Sequence, residues 1–407
     1  MTHSSHPPTV TMSSDPALLG LLFDHDKYRV LVEEQPVLRV RYFDGSPVWL
    51  ITRHDHVEAV LRDPSVRSNP AAQDRQGALA AGAGQPPAFR PYVRCAISAM
   101  DAPDHTRLRR LVSQAFTARR VELMRPRIQQ LTDELLDELI PLVELDLLER
   151  FAYPLPIRVI CELLGVPIAD REQWGNWTRQ LLWSPPERIA AAAKGIVDYA
   201  IGLIAFRRAN AGDDLLSALV RMSDQDGDRL SDDELVSMVI TLLTAGHETT
   251  VHLISNGTYA LLTNPDQLAL LREKPDLLPR AVEELLRYWS PADLGVLRFT
   301  TEPIEVGDVR IPAGEVVQLV YAAANRDPRQ FTDPQRVDVA REHNPHLAFG
   351  RGVHYCLGAA LAKVQGEIAF GTLLRRCPEL ALAVPGSEIT WRVGFARALT
   401  KLPVRMA

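Results

Sequence analysis

Cysteine is scarce in this 407-residue chain: Cys95, Cys161, Cys356 and Cys377 are widely and irregularly spaced. No C-x-x-C occurs, so the sequence offers neither a disulfide framework nor a zinc-site pattern. Long apolar runs are lacking as well. The longest candidate, Leu235 to Ala245, is interrupted by Ser237, Thr241 and Thr244, short of the roughly 18–20 residues that span a bilayer. The N-terminal MTHSSHPPTVTMSSDP has no basic region ahead of an apolar core, so it does not read as a secretory signal. Basic excess is also missing: 45 Lys and Arg face 51 Asp and Glu, a net charge of −6. That argues against non-specific nucleic-acid binding over the whole surface. The expectation is a soluble cytoplasmic protein with no membrane span, its residues 1–25 a flexible leader.

What is present is a composition fit for a large core, 46% hydrophobic and 24% charged. The length allows two or three domains at roughly 150 residues each. No repeat or Pro/Ser-rich linker divides the chain, so 26–407 are expected to form one domain. Residues 36–52 read as a hairpin around Asp44-Gly45. From about 103 to 290, apolar residues recur at spacings of three and four, which predicts helices near 118–140, 155–164, 169–182, 187–209 and 213–223. Strand-like runs at 295–320 and 389–405 flank a further helix at about 357–376. The predicted fold class is mainly α with a smaller β-rich portion. Between Pro70 and Pro91, 17 of 22 residues are Ala, Gly, Pro or Gln, which reads as a functional loop, a lid or mouth.

Two segments carry chemistry. Ser231-Asp232-Asp233-Glu234 is a capping box opening a helix to about Leu262, ~47 Å long at 1.5 Å per residue. Its middle holds Ala245-Gly246-His247-Glu248-Thr249-Thr250, where a glycine costs about 1 kcal/mol and buried polar groups need partners. The second segment is Phe349-Gly350-Arg351-Gly352-Val353-His354-Tyr355-Cys356-Leu357-Gly358. Its glycines permit a tight loop with exposed amides, and Cys356 stands at the start of the following helix. Both features favour a thiolate, as nucleophile or metal ligand. His354 makes a poor base for a nucleophile, since alternation points it elsewhere.

The chain resembles the cytochrome P-450 family of haem-thiolate monooxygenases. The cysteine loop matches F-G-x-G-x-H-x-C-x-G at every fixed position, and 245–250 match A-G-x-E-T-T. Glu284-Leu285-Leu286-Arg287 supplies E-x-x-R, with Arg336 as the arginine that locks the pair. His105-Thr106-Arg107-Leu108-Arg109 resembles the propionate-binding segment. Departures are small: Val337 replaces a common aromatic and Lys363 a frequent arginine. No C-x-x-C-H exists for covalent haem attachment.

The resemblance implies a P-450 fold with haem b between the long central helix and the cysteine-loop helix. Cys356 would be the axial thiolate, which favours O–O cleavage, with Phe349 and Gly350 beside it. Glu248 and Thr249 would manage protons in a widened helix, and Ala245 and Gly246 would let a flat cofactor approach. His105, Arg109, Arg298 and His354 would hold the propionates, and Glu284, Arg287 and Arg336 would form a structural ion network. The other histidines singled out, His54, His56, His247, His343 and His346, show no ligand set. Substrate contacts are expected from Thr241, Leu242, Leu294, Val296, Phe395 and Phe89. Trp174, Trp177 and Trp183 could serve as lining or as core.

From His105 to Arg120 the chain holds five arginines and no acid. Arg107, Arg110, Arg119 and Arg120 could dock an acidic ferredoxin relaying electrons from NAD(P)H. No fused reductase is expected. The implied reaction is O2-dependent hydroxylation or epoxidation of a sizeable apolar molecule in secondary metabolism, by a monomer. Oxidative C–C or C–O coupling and a non-catalytic haem-binding role are the alternatives.

Overall fold

The computed structural model describes residues 10–11, 27–41, 45–73, 85–224, 230–392 and 396–406. Its organising element is the central helix Asp232–Thr263. The capping box forms as the sequence predicts: the Glu234 amide donates to the Ser231 hydroxyl, and the Ser231 amide donates to the Glu234 carboxylate. The helix is buried over most of its circumference, which is the location its near-continuous apolar sequence requires. Pro154–Leu164, Pro186–Ala209, Leu278–Tyr288 and Ala359–Arg376 pack around it, and the largest apolar cluster surrounds it.

The other predicted helices lie close to their expected places: Ala118–Leu139, Pro154–Leu164, Arg171–Trp183, Pro186–Ala209 and Leu215–Asp224. The C-terminal helix is Ala359–Arg376, two residues later than expected. Tyr28–Glu34 and His54–Arg62 are additional helices, each too short for a long periodic signal.

The predicted hairpin pairs Val37–Arg41 with Pro47–Ile51, and Gly45 takes the positive φ its turn requires. It belongs to a six-stranded sheet running, in space, Val10–Thr11, Val37–Arg41, Pro47–Ile51, Val316–Leu319, Arg298–Thr300 and Val66–Arg67. Two residues of the expected leader, Val10 and Thr11, therefore pair in parallel with Val40 and Arg41. The rest of 1–25 lies outside the described residues. Pairing of Arg298 with Val317 buries the Arg298 side chain and so sets one wall of the site.

Three further expectations meet the structure. Pro186–Ala209 is long and apolar enough, by length and composition, to cross a membrane, although no uninterrupted apolar run shows it. Lys194 and Asp198 pair on this helix, and Ala193, Ile196 and Ala200 are buried in the core. Trp174 is fully buried beside Trp177 and Tyr199, which makes both tryptophans core; the Trp183 side chain is outside the description. Of the 70–91 loop, Pro70–Gln73 and the start of Pro87–Cys95 are 3-10 turns. The Tyr92 carbonyl accepts from Ser237, which seats Pro87–Cys95 on the central helix; residues 74–84, the body of the expected lid, lie outside the described residues.

Candidate active site

The cysteine loop is tied at both ends. The Cys356 amide donates to the Phe349 carbonyl at 2.9 Å, and the Gly350 amide donates to Leu347. Gly350 and Gly352 have φ of 65° and 73°, a region that costs other residues energy. Burial pushes the Cys356 thiol up, while the amides of Gly358 and Ala359 and the Arg109 charge act to lower it. The donors that the sequence predicts at the helix start are therefore in place, working against desolvation. A coordinated cation would complete the shift to thiolate.

Cys356 opens into a cavity of about 330 Å³. An enclosed water needs only about 10–15 Å³ on this kind of measure, so the space suits a large organic group. Ala245, Gly246 and Thr249 line it from the central helix, and Phe349, Gly350 and Cys356 from the loop. Thr241, Leu242, Leu294 and Val296 line it as the sequence predicts. Phe89 packs against the core and is not part of the lining, and Phe395 lies outside the described residues. Ile97, Ser98 and Tyr321 also contribute; no motif marks them.

One end of the cavity is cationic, with no Asp or Glu among its described lining residues. His105, Arg109, Arg298 and His354 all line it. The rings of His105 and His354 are 4.1 Å apart, and Ser68 Oγ lies 2.8 Å from His354 Nε2. Burial, then Arg298 and His105, push His354 down to about 3. Burial, then Arg109, lowers His105. His105 Nε2 is buried and has no hydrogen-bond partner among the described residues. Arg298 is buried and donates only weakly, at 3.4 Å, to the Leu297 carbonyl. The nearby Asp101 carboxylate receives the Ser68 and Asn69 amides. Carboxylates entering here would meet unspent donors, as the propionates of a haem would. Among the described residues no three His, Cys, Asp or Glu side chains gather as a metal site. Cys356 would be the residue that holds the iron of a haem bound in this cavity. The residues fit haem.

The central helix is regular α through 245–250, so the widening expected there is not seen. Thr249 Oγ1 donates to the Ala245 carbonyl at 3.2 Å, leaving its lone pairs to the cavity. Gly246 serves packing: a Cβ there would sit 2.9 Å from Ile160 Cδ1. Ala245, exposed to the cavity, is the residue that leaves room for a flat group. Glu248 does not line the cavity but lies between His247 and His252.

Arg287 grips Glu284 as E-x-x-R implies, but the lock is not the Arg336 side chain. That side chain is 65% exposed and lies 3.9 Å from Asp266; Arg336 contributes its carbonyl to Arg287. The second guanidinium on Glu284 is Arg341, at 2.9 Å, with Asn344 and the Asp338 amide also donating. Sequence reasoning lacked Arg341 because a nearer arginine satisfied the pattern. In the basic segment, Arg107 is spent on Glu234 of the central helix, while Arg110 and Arg119 are exposed and Arg120 is half-buried.

A family model described as Cytochrome P450 matches residues 175–380. Cytochrome P450 107B1 of Saccharopolyspora erythraea is 49% identical, over 94% of each chain. The 6-deoxyerythronolide B hydroxylase of the same organism is 46% identical, over 97% of this chain and all of its own. The structure of the tirandamycin C-bound P450 monooxygenase TamI superposes with a TM-score of 0.89 at 42% identity, covering 98% of this chain and all of that one. With its cysteine loop, its E-x-x-R grip and these relatives, the chain belongs to the cytochrome P450 family and is a monooxygenase of the soluble bacterial type.

Proposed function

We propose that this monooxygenase hydroxylates or epoxidises a polyketide-type macrolactone or a similarly large apolar metabolite. The observation that carries the reading is the shared cavity. Cys356, Thr249 and Ala245 face a space that, beside the His105, Arg109, Arg298 and His354 end, is lined largely by apolar side chains such as Ile97, Met238, Leu242, Leu294 and Val296, a lining suited to an extended apolar body with few polar handles. The relatives named for a 6-deoxyerythronolide substrate and for bound tirandamycin C support the size and class.

Haem bound here supplies dioxygen binding and O–O cleavage, with the cysteine thiolate donating electron density. The protein's own part is to hold and to deliver. Burial pushes the Cys356 thiol up, the Gly358 and Ala359 amides and Arg109 oppose that, and the iron would complete the shift to thiolate. His105, Arg109, Arg298 and His354 orient the propionates. The Thr249 hydroxyl, its hydrogen on Ala245, offers lone pairs to a protonated group in the cavity. Glu248, one residue before it, is the proton source.

Electrons would come from NAD(P)H through a separate ferredoxin docking on the basic segment that carries Arg110, Arg119 and Arg120. Residues 26–407 would act as one catalytic domain, a cytoplasmic monomer. The test is turnover of a macrolactone panel under 18O2 with a ferredoxin–reductase pair. The reading requires a product heavier by one labelled oxygen. A product lacking two hydrogens and gaining no oxygen would replace it with oxidative coupling.

A further inference from the structure

The two oxygens of Glu248 face two imidazoles. His252 Nε2 lies 3.5 Å from Oε1 and His247 Nε2 lies 3.6 Å from Oε2. Both rings are buried, and each anchors its other nitrogen on a backbone carbonyl: His247 Nδ1 on Leu243 at 2.9 Å, His252 Nδ1 on Pro291 at 3.0 Å. A carbonyl can only accept, so each Nδ1 must carry the hydrogen. In a neutral ring the Nε2 atom is then a bare lone pair aimed at the carboxyl group. A proton reaching either Nε2 makes an imidazolium next to Glu248.

We propose that His252 is a positioning residue that holds the Glu248 carboxyl group, and that its Nε2 is the second resting place of the proton Glu248 delivers. This rests on the reading of Glu248 as proton source. The exchange balances within the pair. A Glu248 carboxylate beside a His252 imidazolium becomes a Glu248 carboxylic acid beside a neutral His252, with the Nδ1–H on Pro291 unchanged. When Glu248 gives its proton away, His252 can resupply it without a water crossing the apolar core.

The surroundings set the two histidines apart. Burial dominates at His247 and lowers it, keeping the ring neutral. At His252 the Glu248 carboxylate, with Asp293 further off, outweighs burial and raises it. Asp293 comes from the loop after Leu278–Tyr288 and is itself pushed up to about 7 by burial. From the segment leading into Pro154–Leu164, Tyr153 faces Glu248; burial, then Glu248, pushes its hydroxyl up to about 12, so it stays neutral. Arg179 stacks over that ring at 4.2 Å.

The direct test is a 15N-histidine NMR titration of the holoenzyme in its diamagnetic ferrous–CO form, with His247→Gln and His252→Gln providing assignments. His252 should show the Nδ1–H tautomer when neutral. It should hold its Nε2 proton to higher pH than His247, and Glu248→Gln should lower its midpoint by about one unit or more. An Nε2–H tautomer in the neutral His252 ring, or a His252 titration indifferent to Glu248→Gln, overturns the proposal. In turnover, His252→Gln keeps a donor but cannot carry the proton, so product formed per electron pair should lose its pH dependence. A uniform loss with an unchanged pH profile would mean mere packing and overturns it too. If the titration holds while Glu248→Gln leaves O2-driven turnover unchanged, the positioning by His252 stands and the assignment of Glu248 as proton source falls.

Discussion

Arg287 donates to both carboxylate oxygens of Glu284 at 2.7 Å each, in a place where neither side chain reaches solvent. Desolvating two charges is repaid only when the remaining donors and acceptors are matched. Here they are: Arg287 also donates to the carbonyls of Asn325, Pro334 and Arg336, and Glu284 also accepts from Arg341, Asn344 and the Asp338 amide. The pair thus staples the Leu278–Tyr288 helix to the segment leading into the cysteine loop.

Breaking that staple should cost far more than its surface neighbours suggest. Arg287→Met strips the buried carboxylate of its bidentate partner, leaving Arg341 alone to balance it, and should lose about 3–5 kcal/mol. Arg341→Ala removes one charged hydrogen bond and should lose about 1.5–3 kcal/mol. Arg336→Ala should lose less than about 1 kcal/mol, because its guanidinium is at the surface. Urea midpoints of the three variants give the order; equal losses from Arg336→Ala and Arg341→Ala would reject this assignment of the lock.

Gly246 should prove to be a packing residue. Gly246→Ala places a methyl 2.9 Å from Ile160 Cδ1, an overpacking that costs about 1–3 kcal/mol. Ile160→Val removes that methyl group and should recover part of the loss, visible as a favourable coupling in a double-mutant cycle. Additive effects would mean that the two side chains do not meet.

Acid should weaken the haem-free protein through the propionate end of the cavity. His354 is pushed down to about 3 by burial and then by Arg298 and His105, and His105 is lowered as well. Below about 6.5 the unfolded chain takes up protons at these rings, whereas the folded chain does not until near the depressed value for His354. Stability from these rings is therefore present above pH 6.5 and lost as pH falls towards 3. Urea midpoints of the apoprotein at pH 7 and pH 5 should differ more for the wild type than for His354→Gln. A steeper slope in the variant would reverse the sign and contradict the cause.

Much of this was legible before any coordinates. Capping chemistry located the start of the central helix at Ser231, and the glycines at 350 and 352 announced a tight loop, which the structure builds with positive φ at both. What escaped the sequence was decided by contacts between distant segments. Arg341, not Arg336, reaches Glu284 because chain direction after Pro334 selects the guanidinium, and spacing cannot reveal that. His252 reads as one more polar residue on a buried helix until the Pro291 carbonyl fixes its hydrogen. Gly246 lines the cavity where room for a cofactor was expected, but the packing of Ile160 against it is visible only in the structure. Ser68 and Tyr321 gain their roles only when the sheet carries Arg298 beside them.

The central claim is that Cys356 binds haem iron as a thiolate. The reduced, CO-treated holoprotein should show the red-shifted Soret band of a thiolate-ligated haem, and Cys356→Ser should abolish that band. A Soret position typical of histidine ligation in the wild type, or an unchanged band in Cys356→Ser, would contradict it.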